Sequence, residues 1–164
     1  MVKNMRENTK IYLAGPCDSE NRTTMVNVAQ YIRSLGYTVY CPFELKIENA
    51  WDMSQENWSK AVFDKDIEAI NNCDIFLMIS LGRESTAGTN FEQGYAYALK
   101  KRILVFQITE KPTSLMTYCG CHDFNNCTSD LKDINSKIRY VLSLYEQGYR
   151  DNNRIFSSCR TVLT

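Results

Sequence analysis

The sequence predicts one α/β domain, a flavodoxin-like or Rossmann-like three-layer sandwich with a mostly parallel sheet of four or five strands. Three observations support this prediction. Short apolar runs alternate with amphipathic helical stretches, which is typical of βαβ units. The predicted strands are almost wholly apolar, as expected for a parallel sheet covered on both faces. The length of 164 residues fits one domain, placed at residues 1–147 and followed by a tail at 148–164.

The first two strands flank the first predicted helix. Residues 11–14 form a short apolar run that ends at Gly15-Pro16, which predicts a buried strand. Apolar residues then recur every three or four positions over 25–35, which predicts a helix that ends at Gly36. The β-branched and aromatic run at 37–41 predicts the second strand.

The rest of the chain continues the alternation after an irregular stretch at 44–55. The predicted elements are a helix at 57–72, a strand at 74–80, a polar loop at 82–88, a helix at 89–100, a strand at 102–108, a weak strand at 122–127 and a helix at 131–147. The tail has no clear period, and we expect an arm that contacts a neighbouring subunit.

Charge and hydropathy exclude two classes of partner. Basic and acidic residues number 19 each, so the chain has no excess positive charge with which to bind a nucleic acid polymer or an anionic membrane. The polar start of the sequence and the absence of a run of ~18 apolar residues indicate neither a signal peptide nor a membrane anchor. We therefore expect a cytoplasmic protein.

The seven cysteines are interpreted as small, mostly buried hydrophobic residues of a protein in a reducing compartment. Only Cys119, Cys121, His122 and Cys127 cluster in the sequence. Their spacing lacks the paired C-x2-C knuckles that structural zinc sites use. We therefore predict no metal site.

Two carboxylates fall where helical periodicity predicts a buried face. Asp66 lies near the centre of the apolar arc of the second predicted helix, whereas Asp64 and Glu68 lie on the opposite face. The third predicted helix repeats this pattern, because Glu92 shares an arc with apolar residues while Gln93 lies outside it. Asp66 and Glu92 are therefore both predicted to point inward.

A lone buried carboxylate is costly, so each needs hydrogen-bond donors, an arginine partner or a functional cleft beside it. Periodicity alone supports a structural role as well as a functional one. Position favours function, because both helices follow loops at the carboxyl edge of the sheet, where ligands bind in open α/β folds. Two carboxylates that face one crevice suit glycosidic bond chemistry, one as nucleophile and one as proton donor.

Three segments together resemble the nucleoside 2-deoxyribosyltransferase family. They are Lys10–Pro16 (KIYLAGP), Trp58–Ile67 with Cys73-Asp74, and Gly88–Ala96 (GTNFEQGYA). The specific feature is the combination of G-T-x-x-E-x-G-Y-A with an upstream D-I and I-Y-x-A-G-P, and the resemblance runs from about residue 10 to residue 135. It implies nucleotide salvage, with a deoxyribonucleoside and a free purine or pyrimidine base as substrates, no metal or organic cofactor, and a homo-oligomer.

The resemblance also implies roles for individual residues. Glu92 would be the nucleophile that takes the 2-deoxyribosyl group, and Asp66 the acid that protonates the departing base and then deprotonates the incoming one. Tyr12 would orient Glu92 through its hydroxyl, although a core-packing ring is the structural alternative. The implied substrate-binding residues are Gly15, Thr86, Gly88, Thr89 and Asp123, the last at the place where transferases lend a residue to a neighbouring subunit.

Thr86 departs from the family pattern. Transferases usually carry an aspartate six residues before the nucleophile, where it holds the sugar hydroxyls. Related deoxynucleoside 5′-monophosphate N-glycosidases carry a hydroxyl residue that contacts phosphate, which a carboxylate would repel. N-glycoside hydrolysis is therefore the alternative activity, unless Ser85 or Thr86 merely forms a loop turn. A non-catalytic nucleotide-binding module is a further alternative, but it does not explain two inward carboxylates.

Overall fold

A computed structural model describes residues 2–148, 155–156 and 162–163, with side chains from residue 5 to residue 148. The strands are β1 (Lys10–Ala14), β2 (Thr38–Tyr40), β3 (Ile75–Ser80), β4 (Arg102–Gln107), β5 (Thr113–Ser114), β6 (Asp123–Asn126), β7 (Ile155–Phe156) and β8 (Val162–Leu163). The α-helices are α1 (Val2–Asn8), α2 (Arg22–Ser34), α3 (Gln55–Asn72), α4 (Ala87–Ala98), α5 (Leu115–Cys119) and α6 (Leu131–Glu146). Three single-turn 3-10 helices lie at Pro42–Glu44, Ala50–Asp52 and Gly82–Glu84.

One parallel sheet organises the domain. Its strand order is β2-β1-β3-β4-β6-β7, and all of its pairs are parallel. The five longer strands confirm the predicted three-layer α/β fold, including the weak fifth strand, which is β6. The order reverses between β1 and β3, so the loops that follow these strands flank a crevice at the carboxyl edge.

Alternating strand residues supply two hydrophobic cores, one on each face of the sheet. In β1, Ile11 and Leu13 pack with α2 and α6, whereas Tyr12 and Ala14 pack on the side of α3 and α4. Strands β3 and β4 alternate in the same way. Both faces are covered, which explains why the strands are continuous apolar runs rather than alternating ones.

Two helices were not predicted. Helix α1 has a polar sequence and is held by tertiary contacts, since Arg6 pairs with Glu146 of α6 at 2.5 and 3.0 Å and donates to the Leu35 carbonyl. Helix α5 has five residues, too few to produce a helical period. It covers one side of α4.

The helical wheels were wrong in two respects. Gln93 is buried, because α5 lies against it and the Thr117 carbonyl accepts a hydrogen bond from its Nε2 at 3.0 Å. The apolar arc of α3 is only partly covered, with Ile70 fully buried and Phe63 exposed. Asp66 therefore lies at the border between the sheet and solvent rather than in a closed core.

The predicted tail falls largely outside the described residues. Its two described strands pair with the same chain, β7 with β6 and β8 with β5. A contact between the tail and a neighbouring subunit stays a prediction. Among the described helices, none combines the length and hydropathy that a membrane span requires.

Candidate active site

A pocket of about 170 Å³ lies at the carboxyl edge of the sheet, beside the end of β1. It is lined by Gly15 and Cys17 after β1, Phe43 after β2, and Thr86, Thr89 and Glu92 at the start of α4. A larger cavity of about 350 Å³ lies between α4 and α5, but no carboxylate lines it. We place the chemistry in the smaller pocket because Glu92 lines it.

Glu92 faces this pocket from the second turn of α4, which begins at the Thr86 cap. Burial raises the pKa of Glu92 to about 7, and the charge of Asp66 adds to this effect, while Tyr12 opposes it. A carboxyl with this pKa is partly ionised at neutral pH. It can act as a nucleophile without a large energetic cost for losing its proton.

Tyr12 lies beneath Glu92, fully buried in the middle of β1. Burial and the charges of Glu92 and Asp66 raise the pKa of its phenol, so it stays protonated. The hydroxyl is close enough to lower the pKa of Glu92 through a hydrogen-bond interaction, although the two groups do not form a geometrically complete hydrogen bond. Tyr12 is therefore a protonated donor placed beside the Glu92 carboxyl.

Asp66 lies on α3 near Glu92, although its side chain does not line this pocket. The Tyr40 hydroxyl donates a hydrogen bond to its Oδ1 at 2.7 Å. Burial raises the pKa of Asp66, and the hydrogen bond from Tyr40 partly offsets this rise. The two carboxylates are close enough to repel each other, since the charge of Asp66 raises the pKa of Glu92. Such a pair favours states in which only one of the two is ionised.

Thr86 and Thr89 are joined in a directed chain of hydrogen bonds. Thr89 Oγ1 donates to the Gly15 carbonyl at 3.2 Å, so its contact with Thr86 Oγ1 at 3.0 Å uses the proton of Thr86. Thr86 Oγ1 also accepts from the Thr89 amide at 3.2 Å and caps α4. Both hydroxyl protons are thus engaged within the chain, and α4 is fastened to the loop after β1.

The two glycines of the pocket differ in what surrounds them. A Cβ atom on Gly15 would lie 2.6 Å from Cε and Sδ of Met25, so the loop after β1 packs closely on α2. A Cβ on Gly88 would meet only Thr86 Oγ1, at 3.9 Å, and the residue is exposed. Packing within the chain therefore does not require glycine at 88, and the open space in front of it belongs to the pocket.

Asp66 and Tyr12 lie near Glu92 without lining the pocket, whereas Asp123 lies in another part of the sheet. Asp123 begins β6, which two strands separate from β1, and its Oδ2 accepts a hydrogen bond from Arg102 at 2.7 Å. Both side chains are nearly inaccessible. The carboxylate is therefore part of a buried ion pair within the chain, and its contact with a substrate at a neighbouring subunit stays a prediction.

The clustered cysteines do not assemble a ligand set. Across the described side chains, no group of three or more His, Cys, Asp or Glu residues is placed to hold a metal ion. His122 Nδ1 accepts from the Ile103 amide at 3.1 Å, and the Cys121 thiol donates to the Tyr118 carbonyl. Cys119 is exposed and Cys127 is buried. The cysteine side chains of this segment therefore do not share one site.

The sequence analysis missed several residues of the site, among them Tyr40, Cys17 and Phe43. Tyr40 contacts Asp66. Cys17 lines the pocket near Glu92, and burial together with the charge of Glu92 raises the pKa of its thiol to about 11. Tyr40 follows the alternation of β2, so a prediction of strand pairing could have placed it beside Tyr12. Cys17 had no such signal, because it lies in an irregular loop.

A family model described as nucleoside 2-deoxyribosyltransferase matches residues 11–150. The chain belongs to this family. A structure of the family, a 2-deoxyribosyltransferase from Bacillus psychrosaccharolyticus, is 32% identical, with a TM-score of 0.64 over 77% of this chain and 90% of that chain. The segments that carry the resemblance, at 10–16, 58–74 and 88–96, lie almost entirely within the matched range.

A second solved structure shows the same fold in a different enzyme. It is a CMP N-glycosidase from Clostridium botulinum, 19% identical, with a TM-score of 0.58 over 81% of this chain and 99% of that chain. The comparison with curated protein sequences finds no significant match. Family membership establishes an enzyme that acts on an N-glycosidic bond, by transfer or by hydrolysis.

Proposed function

We propose that this chain moves 2-deoxyribose between nucleobases through a covalent glycosyl intermediate on Glu92. The observation that carries the proposal is the pairing of Glu92, with a pKa of about 7, with Asp66 at one crevice of the sheet. Two carboxyl groups with raised pKa values supply both functions that the reaction needs, a nucleophile and an acid. A module that only binds nucleotides gains nothing from two partly buried carboxylates close to each other.

In the first half-reaction, the ionised Glu92 attacks the anomeric carbon as the glycosidic C–N bond breaks. The electron pair of that bond leaves with the base, and Asp66 supplies the proton that neutralises it. Because 2-deoxyribose lacks the electron-withdrawing 2′-hydroxyl, its oxocarbenium-like transition state is easier to reach. Tyr12 would donate a hydrogen bond to the Glu92 oxygen that is not bonded to sugar.

In the second half-reaction, an incoming base attacks the same carbon and displaces Glu92. Asp66, now ionised, takes the proton that the new base loses, so the enzyme returns to its first state. Gly15, Gly88, Thr86 and Thr89 border the space in front of Glu92 and would contact the sugar. Neither half-reaction uses a metal or an organic cofactor.

Hydrolysis of a deoxynucleoside 5′-monophosphate is the second candidate, because Thr86 is a hydroxyl residue rather than a carboxylate. The hydrogen bonds of Thr86 weaken this candidate. Its proton is engaged by Thr89 Oγ1, so donation to a phosphate would require that bond to break.

A homo-oligomer is also part of the proposal, and the distribution of exposed apolar side chains supports it. On the side of α3, α4 and α5, the exposed residues include Phe63, Phe91, Tyr97 and Met116, whereas α2 and α6 expose one large apolar residue, Tyr140, among the described side chains. Contiguous apolar surface of this kind marks interaction sites. At about 170 Å³, the pocket is also smaller than typical ligand sites of ~300 Å³ or more, so a neighbouring subunit would add a wall.

One incubation tests these alternatives. The protein is incubated with deoxyinosine and adenine, and separately with deoxyadenylate, and the products are separated chromatographically. Deoxyadenosine and hypoxanthine from the first mixture support transfer. Free deoxyribose from that mixture, or deoxyribose 5-phosphate from the second, indicates hydrolysis instead. No turnover of either substrate contradicts both activities and favours a binding module.

A further inference from the structure

Three aromatic rings form a ladder across neighbouring strands beneath the two carboxylates. Tyr12 is paired in register with Tyr40 on one side and Phe76 on the other. Its ring stacks on theirs, with centroids 5.4 and 5.5 Å apart and interplanar angles of 20° and 8°. The sheet therefore fixes the directions of both tyrosine side chains. Their hydroxyls are presented to different carboxyl groups, that of Tyr12 to Glu92 and that of Tyr40 to Asp66.

The hydrogen bond from Tyr40 is the only one to Asp66 among the described residues. It engages Oδ1 at 2.7 Å, and no side chain in the described part of the chain bonds to Oδ2. The other titratable groups that interact with Asp66 are Glu92, Tyr12 and Cys17, and none of them donates to it. A carboxyl on a half-exposed helix face would otherwise rotate freely, because its terminal torsion angle is only weakly restricted.

We propose that Tyr40 is a positioning residue, which fixes the Asp66 carboxyl through Oδ1 so that Oδ2 faces the base and exchanges the proton. The inference rests on the proposed function of Asp66, but its structural part does not depend on activity. The same hydrogen bond stabilises the ionised form of Asp66, which forms when Asp66 gives its proton to the departing base in the first half-reaction. Tyr40 would thus serve both orientation and proton donation.

Tyr37 provides a matched control. Its hydroxyl also donates to a carboxylate, that of Glu146, but it packs in the core of the opposite face, far from the crevice. Tyr37→Phe and Tyr40→Phe each remove one tyrosine-to-carboxylate hydrogen bond and keep the ring. A loss caused by general destabilisation would affect both variants, whereas a loss of positioning would affect only Tyr40→Phe.

The experiment measures deoxyribosyl transfer from deoxyinosine to adenine in wild type, Tyr40→Phe, Tyr37→Phe, Asp66→Asn and the double variant Tyr40→Phe/Asp66→Asn. Tyr40→Phe is expected to lower kcat about tenfold with KM within twofold, as for loss of a hydrogen bond to a charged group. Tyr37→Phe should retain the wild-type kcat. The double variant should be no slower than Asp66→Asn, because Tyr40 acts through Asp66. Fully multiplicative losses in the double variant would overturn the inference.

A second measurement separates this inference from the proposed function. The Asp66 carboxyl is titrated by isotope-edited infrared spectroscopy, with Asp66→Asn to assign its band. Loss of a donor to the carboxylate is expected to raise the pKa of Asp66 in Tyr40→Phe and to leave it unchanged in Tyr37→Phe. An unchanged titration in Tyr40→Phe refutes the positioning role. A wild type that is inactive on all substrates refutes the proposed function, and the titration then decides the role of Tyr40 alone.

Discussion

Both faces of the sheet have a hydrophobic core, but only one of them carries the candidate site. The face under α2 and α6 is built from strand residues such as Leu13 and Leu77 and helix residues such as Ile32 and Ile138. The face under α3 and α4 has its own core and also buries the Tyr12 hydroxyl, with Asp66 and Glu92 at its edge. We call these the packed face and the polar face.

The difference between the faces predicts that different residues determine stability and activity. Close packing of apolar side chains stabilises a domain, whereas buried titratable groups with raised pKa values cost stability and are typical of reactive sites. The packed face should therefore govern stability, and the polar face should govern activity. Variants on the two faces should separate these properties.

The largest expected effect is that of Glu92→Ala on turnover. Removal of the nucleophile should lower kcat roughly a thousandfold or more, while circular dichroism and the thermal midpoint show an intact fold. Mass spectrometry of the wild type with a 2-fluoro-2-deoxy substrate should locate a glycosyl adduct on Glu92. An adduct on another residue, or full activity of the variant, would assign the nucleophile elsewhere.

Asp66→Asn should give the next largest loss, and its size should depend on the leaving group. With deoxyinosine, loss of the general acid is expected to slow transfer about a hundredfold or more. A deoxynucleoside whose purine is methylated at N7 already carries the positive charge that protonation supplies, so its loss should be much smaller. Equal losses with both substrates would mean that Asp66 positions the ring and donates no proton.

The sequence was sufficient to predict the elements that follow a simple period. All five longer strands and four of the helices were predicted within a few residues, because parallel strands are apolar throughout and long helices repeat every three to four residues. Helix α5 and the position of Gln93 were not predicted, since both depend on what packs against α4. Burial of Gln93 is a tertiary property that no helical wheel of α4 contains.

The residues of the candidate site also fall into two groups, those that a local sequence pattern predicts and those that depend on tertiary packing. Asp66 and Glu92 stood out as charges on apolar arcs, which are local patterns. Tyr40 did not, because its role depends on the register of β1 and β2 and on the approach of α3. Asp123 was assigned from the resemblance alone, and the ion pair with Arg102 connects residues 21 positions apart that only the sheet brings together.

A stability comparison between the two faces gives the third expected effect. Ile138→Ala, in the core of the packed face, should lower the free energy of unfolding by about 2–5 kcal/mol at every pH. The activity of the folded fraction should be unchanged. Urea unfolding and kcat measured on the same samples test this expectation, and a large fall in kcat per folded molecule would contradict the separation of the two faces.

Glu92→Gln should act on stability in the opposite sense and only in one pH range. Because the folded protein raises the pKa of Glu92 from 4.5 to about 7, the wild type loses stability as pH rises between these values. The Glu92→Gln variant has no carboxyl group at this position that could ionise. It should therefore be more stable than the wild type at pH 8, by on the order of 2 kcal/mol, with a smaller difference at pH 4. A pH-independent difference would mean that burial does not raise the pKa of Glu92.

Thr86→Asp should produce the smallest of these effects, a change in substrate preference. It tests whether this pocket residue lies beside the 5′ end of the sugar. Aspartate is also a good N-cap, so α4 should still begin at residue 86 and the fold should be retained. If this position borders the 5′ end of the sugar, a carboxylate would repel a 5′-phosphate but spare a 5′-hydroxyl. The ratio of kcat/KM for deoxyadenosine to that for deoxyadenylate should then rise about tenfold or more.

Thr86→Ser keeps both the cap and the hydroxyl and should leave the ratio unchanged. An unchanged ratio in Thr86→Asp would place the 5′ group away from this loop, and the hydrolysis of monophosphates would then lose the residue that favoured it.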